Sequence, residues 1–249
     1  MPIVIKSEEE IGIMREAGRH VAQVLQILVE HVRPGVVETE LDRIVREEFA
    51  RRGVIPTFLG YQGYPATVCV SVNDEIVHGI PGDRAFQEGD VVSIDLGCTY
   101  RGFVADCAVT VGVGRISPEA ERLIRVTEEA LWRGIRAARA GVRLGAIGHA
   151  IQTYVEGQGF SVVREYVGHG VGRQMHEDPQ VPNYGPPDFG PVLRKGMVLA
   201  IEPMVNMGTW RTKRDADGWT VRTADGSLSA HFEHTIAITD GEPLVLTLP

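Results

Sequence analysis

The chain has 249 residues, 43% of them hydrophobic, enough to bury one large core or two small ones. A net charge of -8 with evenly spread charges argues against a nucleic-acid partner, whose phosphates demand clustered Lys and Arg. No apolar run is long enough to span a bilayer, the start Met1-Pro-Ile-Val-Ile-Lys-Ser7 does not read as an export signal, and three cysteines without zinc-type pairing (Cys69, Cys98, Cys107) fit reduced thiols in the cytoplasm.

In chain order, Ser7 and Glu10 have the spacing of a capping box ahead of a helix carrying Ile11, Met14, Val21, Leu25 and Leu28. Gly35-Val36 then leads into Leu41, Ile44, Val45 and Phe49, an amphipathic helix closed by Gly53. His78 ends a strand, followed by the stop Gly79-Ile-Pro81. Glu88 to Asp95 and Val104 to Val111 are short β-branched runs and read as buried strands. Ser117-Pro118 marks a helix start, with Ser as N-cap and Pro in the first turn. A further amphipathic helix runs from Gly141-Val142 through Ile147, Ala150, Ile151 and Val155 to Gly159. Lys195 to Glu202 and His231 to Ile238 are again strands. Between them Asp217-Gly218 and Asp225-Gly226 read as turns flanking a strand Trp219–Thr223. The basic stretch Arg211 to Arg214, beside Asp215 and Asp217, reads as a solvated loop.

These elements repeat. The helix after Gly35 matches the helix after Gly141 at an offset of 106 residues, and Glu88–Asp95 matches Lys195–Glu202 at an offset of 107. Val104–Val111 resembles His231–Ile238. Agreement in three elements, in order, predicts an α+β fold of two pseudo-twofold-related halves, roughly 1–115 and 116–249, within one domain spanning 1–249. The repeat sets acids at equivalent points, Asp95 with Glu202 and Asp106 with Glu233. By strand alternation Asp95 shares a face with Ser93 and Gly97, Glu202 with Ala200, Asp106 with Ala108 and Thr110, and Glu233 with Thr235 and Ala237. Any one acid in a strand is as easily exposed or salt-bridged. Four at symmetry-related points, each on the small-residue face of an apolar strand, are expected to converge. Like charges that lose hydration repel strongly, and two divalent cations neutralise all four.

Two histidines, His169 and His176, lie seven residues apart in a glycine-rich segment. A lone histidine is usually a packed polar residue, but Gly168 and Gly170 let the backbone approach closely and should expose the His169 ring. His20, His31 and His149 fall in helices and read as surface or filler residues. His234 points to the apolar face and reads as structural, while the role of His231 stays open. Oxygen ligands with one imidazole favour manganese, iron or cobalt over a thiolate-type zinc site. Two such ions can ionise a water and clamp an oxyanion, so metal-assisted hydrolysis is the expected reaction.

The order and spacing of Asp95, Asp106, His169, Glu202 and Glu233 resemble the pita-bread metallopeptidases, and within them type I methionine aminopeptidase. The carrying segments are Gly60-Tyr-Gln-Gly-Tyr-Pro65, Ser71-Val-Asn-Asp-Glu-Ile-Val-His-Gly-Ile-Pro81, Gly168-His-Gly-Val-Gly172, Ile201-Glu-Pro-Met204 and Ser227-Leu-Ser-Ala-His-Phe-Glu-His234. The resemblance implies a curved, mainly antiparallel sheet covered by helices. It implies removal of the initiator methionine from nascent polypeptides whose second residue is small, at the ribosome, by attack of a metal-bridged water on the scissile carbonyl. It gives metal-ligand roles to the five residues, with Asp106 and Glu233 bridging, and casts Glu202 as the proton shuttle. His78 would lie near the scissile nitrogen and His176 would polarise the carbonyl oxygen. Tyr61, Tyr64, Cys69 and Trp219, with His78 at the edge, would form the methionine pocket, where a thioether packs well on aromatic rings. Asn73 and Ser229 match positions that hold a monovalent cation in some members.

Phe58 and Met175 depart from the family pattern near the pocket rim, where a smaller residue and an aromatic one are common. The chain lacks an N-terminal zinc-finger extension, as in the short bacterial form, and needs no partner to complete its site, so a monomer is expected. One rival reading is a proline-specific peptidase on the same five ligands, although those chains carry a second N-terminal domain of comparable size. The other is a non-catalytic binding protein that kept the fold, although such proteins typically lose a ligand.

Overall fold

The computed structural model describes residues 2–249. Four helices, α1 (Glu8–His31), α2 (Glu38–Arg52), α3 (Pro118–Ala137) and α4 (Gly145–Gly157), pack on a nine-stranded sheet, with two three-stranded sheets beside it. The strand pairings are antiparallel throughout. The expected α+β architecture is the observed one.

Helix starts follow the sequence signals. Ser7 accepts from the Glu10 backbone N–H while the Glu10 carboxylate accepts from the Ser7 N–H, a complete capping box on α1. Ser117 caps α3 with Pro118 next to it. Helix α2 ends on Gly53 in the left-handed conformation. Helix α4 stops at Gly157, and the positive φ falls two residues on, at Gly159.

The long strand pair Val91–Tyr100 and Phe103–Gly112 is joined by a tight turn at Arg101-Gly102. Val92, Ile94 and Leu96 point into a core shared with Val21, Leu25 and Leu28 of α1 and Leu41, Val45 and Phe49 of α2. A second core joins Leu123, Val126 and Leu131 of α3 and Ile147 and Ile151 of α4 to Leu199, Ile201, Ile236 and Ile238. Apolar burial at about 25 cal/mol per Å² drives both, and it leaves the opposite sheet face free for polar groups.

Across the sheet the strands run Val91–Tyr100, Phe103–Gly112, Glu233–Ala237, Val198–Ile201, Gly168–Gly170 and Glu177–Val181. The first four form a palindrome of the repeat. The equivalent strands carrying Asp106 and Glu233 meet at the centre, flanked by the equivalent strands that carry Asp95 and end at Glu202.

Two local expectations fail. Only Val221–Thr223 is strand, because the Asp217 carboxylate takes the N–H groups of Trp219 and Thr220 and the Thr220 hydroxyl into a turn. The stretch expected as a solvated loop instead holds a short strand, Thr212–Arg214, which pairs with Val221–Thr223 while Lys213 and Arg214 stay exposed. Cys69, Cys98 and Cys107 are all free and buried. Among the described residues no helix is long and apolar enough to cross a membrane.

Candidate active site

The five residues singled out as metal ligands come from five neighbouring strands or strand ends. Register brings them together. Asp95 and Glu233 both stand opposite Ala108, and Asp106 lies two residues along the same strand. Glu202 follows Ile201, which pairs with His234, and His169 pairs with Ala200. Ligating atoms of Asp106, His169 and Glu233 lie within 4.8 Å of one another, as do those of Asp95, His231 and Glu233. Nε2 of His169 is 3.4 Å from Glu202 Oε1 and 3.9 Å from Asp106 Oδ2.

Burial makes this cluster costly without a counter-charge. It pushes the Asp95 carboxyl up to about 7 and holds Asp106, Glu202 and Glu233 well above the usual carboxylate range, with mutual repulsion adding to the last three. Asp95 Oδ1, Asp106 Oδ1 and Glu233 Oε1 are buried without a hydrogen-bond partner, an arrangement that native interiors avoid unless another group completes it. Hard oxygens with one imidazole suit manganese, iron or cobalt. The donor set therefore fits divalent ions.

His169 is prepared to offer Nε2. Its Nδ1 lies 2.8 Å from the Gly170 carbonyl, so Nδ1–H donates there and the Nε2 lone pair faces the carboxylates. Burial, helped by nearby His176, holds its pKa down at about 3 and keeps it neutral. The flanking glycines do permit close approach: a Cβ on Gly168 would stand 2.3 Å from the Ala200 carbonyl, and one on Gly170 2.3 Å from that of Asp178. They do not expose the ring. His169 is only 6% accessible, because those same approaches pack strands on both sides of it.

Beside the carboxylates lies a cavity of about 180 Å³, lined among others by Tyr61, Tyr64, Cys69, His78, His176 and Trp219. All six residues expected to touch substrate border it. Tyr64 is buried, donates between the Val68 and Gly79 carbonyls, and meets Trp219 edge-on at 5.1 Å. Burial raises both its phenol and the Cys69 thiol, so the pocket wall is uncharged. His78 has φ +62°, a conformation in which histidine is several-fold enriched among non-glycine residues. It is held edge-on to Tyr166 at 5.9 Å, and burial lowers its pKa to about 4. His176 lies with its ring centre 4.3 Å from that of His169, and its Nδ1 is 2.6 Å from the Tyr61 hydroxyl. Its loop is anchored by a partly buried ion pair, Lys6 to Glu177 at 2.6 Å, whose carboxylate also takes the Gln174 N–H.

Phe58 and Met175, expected at the rim, both line the cavity. Phe58 lies deeper than the rim, 4% exposed among Tyr64, Ala66 and Cys69. It fills space that Gly97 leaves, since a Cβ there would be 2.9 Å from its ring. Tyr166, Val167 and Met204 also line the cavity. Sequence reasoning did not assign them to the pocket, although they adjoin the Gly-His-Gly and Ile-Glu-Pro segments. His231, left open, is buried beside Glu202 with Nε2 3.8 Å from Oε2. His234 bonds Thr247 at 2.8 Å and packs on Trp132, away from the cavity.

The chain belongs to metallopeptidase family M24, whose model matches residues 12–240. It is 55% identical to the methionine aminopeptidase of Clostridium perfringens, with 99% of each chain covered. The crystal structure of the Thermotoga maritima methionine aminopeptidase superposes with a TM-score of 0.98 at 49% identity, covering 100% of both chains. The prolidase from Pyrococcus horikoshii matches less well, with a TM-score of 0.77 at 25% identity, and the chain covers 98% of itself but 63% of that protein. Within the family the chain therefore falls with the methionine aminopeptidases.

Proposed function

We propose that the chain, as a single catalytic unit of two related halves, removes the initiator methionine from nascent polypeptides whose second residue is small. The observation that carries this reading is the convergence of two buried and two half-buried carboxylates and one imidazole, several oxygens unpartnered, on a cavity with aromatic walls. Asp95, Asp106, His169, Glu202 and Glu233 would hold two divalent ions, cobalt, manganese or iron. When bound, such ions supply Lewis acidity and make a water acidic enough to attack at neutral pH.

The protein's own side chains do the rest. Tyr61, Tyr64, Cys69 and Trp219 take the methionine side chain, the sulfur resting against ring edges. His78, neutral at pH 7, hydrogen-bonds the scissile nitrogen. His176 donates to the carbonyl oxygen as it gains charge. Glu202 accepts the proton of the attacking water and passes it to the leaving amine. Nothing in this scheme needs a second copy, which supports a monomer; its substrates would be chains emerging from the ribosome in the cytoplasm. Asn73 and Ser229 adjoin, the Ser229 N–H donating to the Asn73 carbonyl at 3.0 Å, and a monovalent cation would sit beside them.

The test is mass analysis of a Met-Ala-Ser peptide incubated with purified protein, with manganese or cobalt and again with chelator. Loss of a single methionine only with metal is expected. Cleavage of an X-Pro peptide instead would favour the prolidase reading, and no cleavage of either peptide would leave a binding protein.

A further inference from the structure

His231 is the one buried histidine beside the carboxylate cluster to which the scheme above gives no task. Its side chain is 1% exposed, yet neither Nδ1 nor Nε2 has a hydrogen-bond partner. A buried imidazole with both nitrogens unmet calls for a missing partner. That partner is not the substrate, because His231 does not line the cavity. It meets the carboxylates through Glu202, 3.8 Å from its Nε2.

Its position is built rather than incidental. The Thr110 hydroxyl stands 2.7 Å from the His231 carbonyl and 2.8 Å from its N–H, and Ser93 stands 2.8 Å from the same hydroxyl. Ser93 shares a strand face with Asp95, and Thr110 shares one with Asp106, so the strands that carry two of the acids also hold the histidine. On its other side His231 pairs with Met204, two residues beyond Glu202. The result is near-symmetric about Glu202. Oε1 faces Nε2 of His169 at 3.4 Å, and Oε2 faces Nε2 of His231 at 3.8 Å. Each imidazole belongs to its own three-residue group, His169 with Asp106 and Glu233, and His231 with Asp95 and Glu233, the two groups sharing Glu233.

We propose that His231 is a sixth protein ligand, supplying the ion on the Asp95 side with an imidazole of its own, so that each of the two ion positions is bound through nitrogen as well as oxygen. This rests on the two-ion reading given above. Imidazole suits iron, cobalt or nickel better than the all-oxygen set that manganese and magnesium prefer. The second position should therefore be held more tightly, and more selectively, than three carboxylates alone would hold it.

The wild-type chain decides the question. Metal-free protein is titrated with cobalt(II) by calorimetry, and the proton spectrum in water is searched for strongly shifted, solvent-exchangeable imidazole N–H signals. Two bound equivalents with two such signals are expected. In His231→Gln one signal should vanish, the His169 signal should stay, and affinity for the second cobalt should fall roughly tenfold or more. Two bound equivalents with a single imidazole signal would overturn the assignment, leaving His231 as a neighbour of Glu202 and the two-ion reading intact. Failure to bind a second equivalent at all would remove both. Should His231→Gln not fold, the wild-type count of signals still settles the matter.

Discussion

The phenolic oxygen of Tyr61 lies 2.6 Å from Nδ1 of His176, joining two segments that the chain separates by 115 residues. With the phenol donating to Nδ1, the ring carries its proton on Nε2, the form in which His176 can donate to a substrate carbonyl. Tyr61→Phe removes that constraint but keeps the aromatic wall. A single hydrogen bond of roughly 0.5–1.5 kcal/mol corresponds to about 2- to 12-fold in rate. The expected outcome is a fall of that size in kcat with metal stoichiometry unchanged. A rise in KM with kcat unchanged would show instead that Tyr61 only binds the methionine side chain.

His176→Ala tests the donor itself. Loss of one oxyanion donor typically costs 10²–10³ in turnover. The ring touches His169 but lies outside both groups of converging ligand atoms, so metal content by mass spectrometry should remain at two equivalents. A variant that loses both the rate and an ion would make His176 a ligand.

The acids of the site were legible because the constraint on them is local: an apolar strand with a carboxylate on its small-residue face, repeated at a fixed offset. Asp95, Asp106, Glu202 and Glu233 each carry that pattern, and the palindromic strand order explains why equal positions in the repeat become neighbours. His231 carried no such mark. Its role stays open in the sequence, because its proximity to Asp95 and Glu202 depends on Thr110, 121 residues away, and on pairing with Met204. The His169 ring was misjudged for a related reason. Gly168 and Gly170 look like openness in sequence, whereas in space the glycines are filled by carbonyls from two other strands. Trp219 was assigned to a strand because the competing bonds from Asp217 are side-chain bonds that periodicity does not register.

Gly168 supports a stability prediction from the same geometry. A Cβ there would meet the Ala200 carbonyl at 2.3 Å and the Val181 side chain at 3.2 Å, both held in the sheet. Gly168→Ala must push the His169 strand away from the strand that leads to Glu202. Overpacking of this kind costs roughly 1–3 kcal/mol, which for a chain of this size is on the order of 2–4 °C in Tm per kcal/mol. Thermal melting of metal-free protein should show the drop, and calorimetry should show weaker metal binding. An unchanged Tm would mean that the strands separate freely, contrary to their packing.

Metal removal should make stability depend on pH in a specific direction. Asp95, pushed up to about 7, and Asp106, Glu202 and Glu233, held well above their usual range, keep their protons more tightly in the folded chain than in the unfolded one. The stability this lends is complete below the unfolded value of about 4 and is lost as pH rises through the folded values. Buried His78, His169, His231 and His234, lowered to about 4, 3, 3 and 4, give the opposite slope, but only below their ordinary value near 6.5. Above that value and through the Asp95 value of about 7, the carboxylates set the slope among these groups. Chelator-treated protein should therefore lose Tm steadily across that window, while protein with two ions bound should hold its Tm, the ions having taken the place of the protons. Metal binding at pH 7.5 should correspondingly release protons, seen as a dependence of the calorimetric heat on the ionisation enthalpy of the buffer. A metal-free Tm that stays flat or climbs from roughly pH 6.5 to 8 would mean that the four carboxylates are not forced together in the empty site.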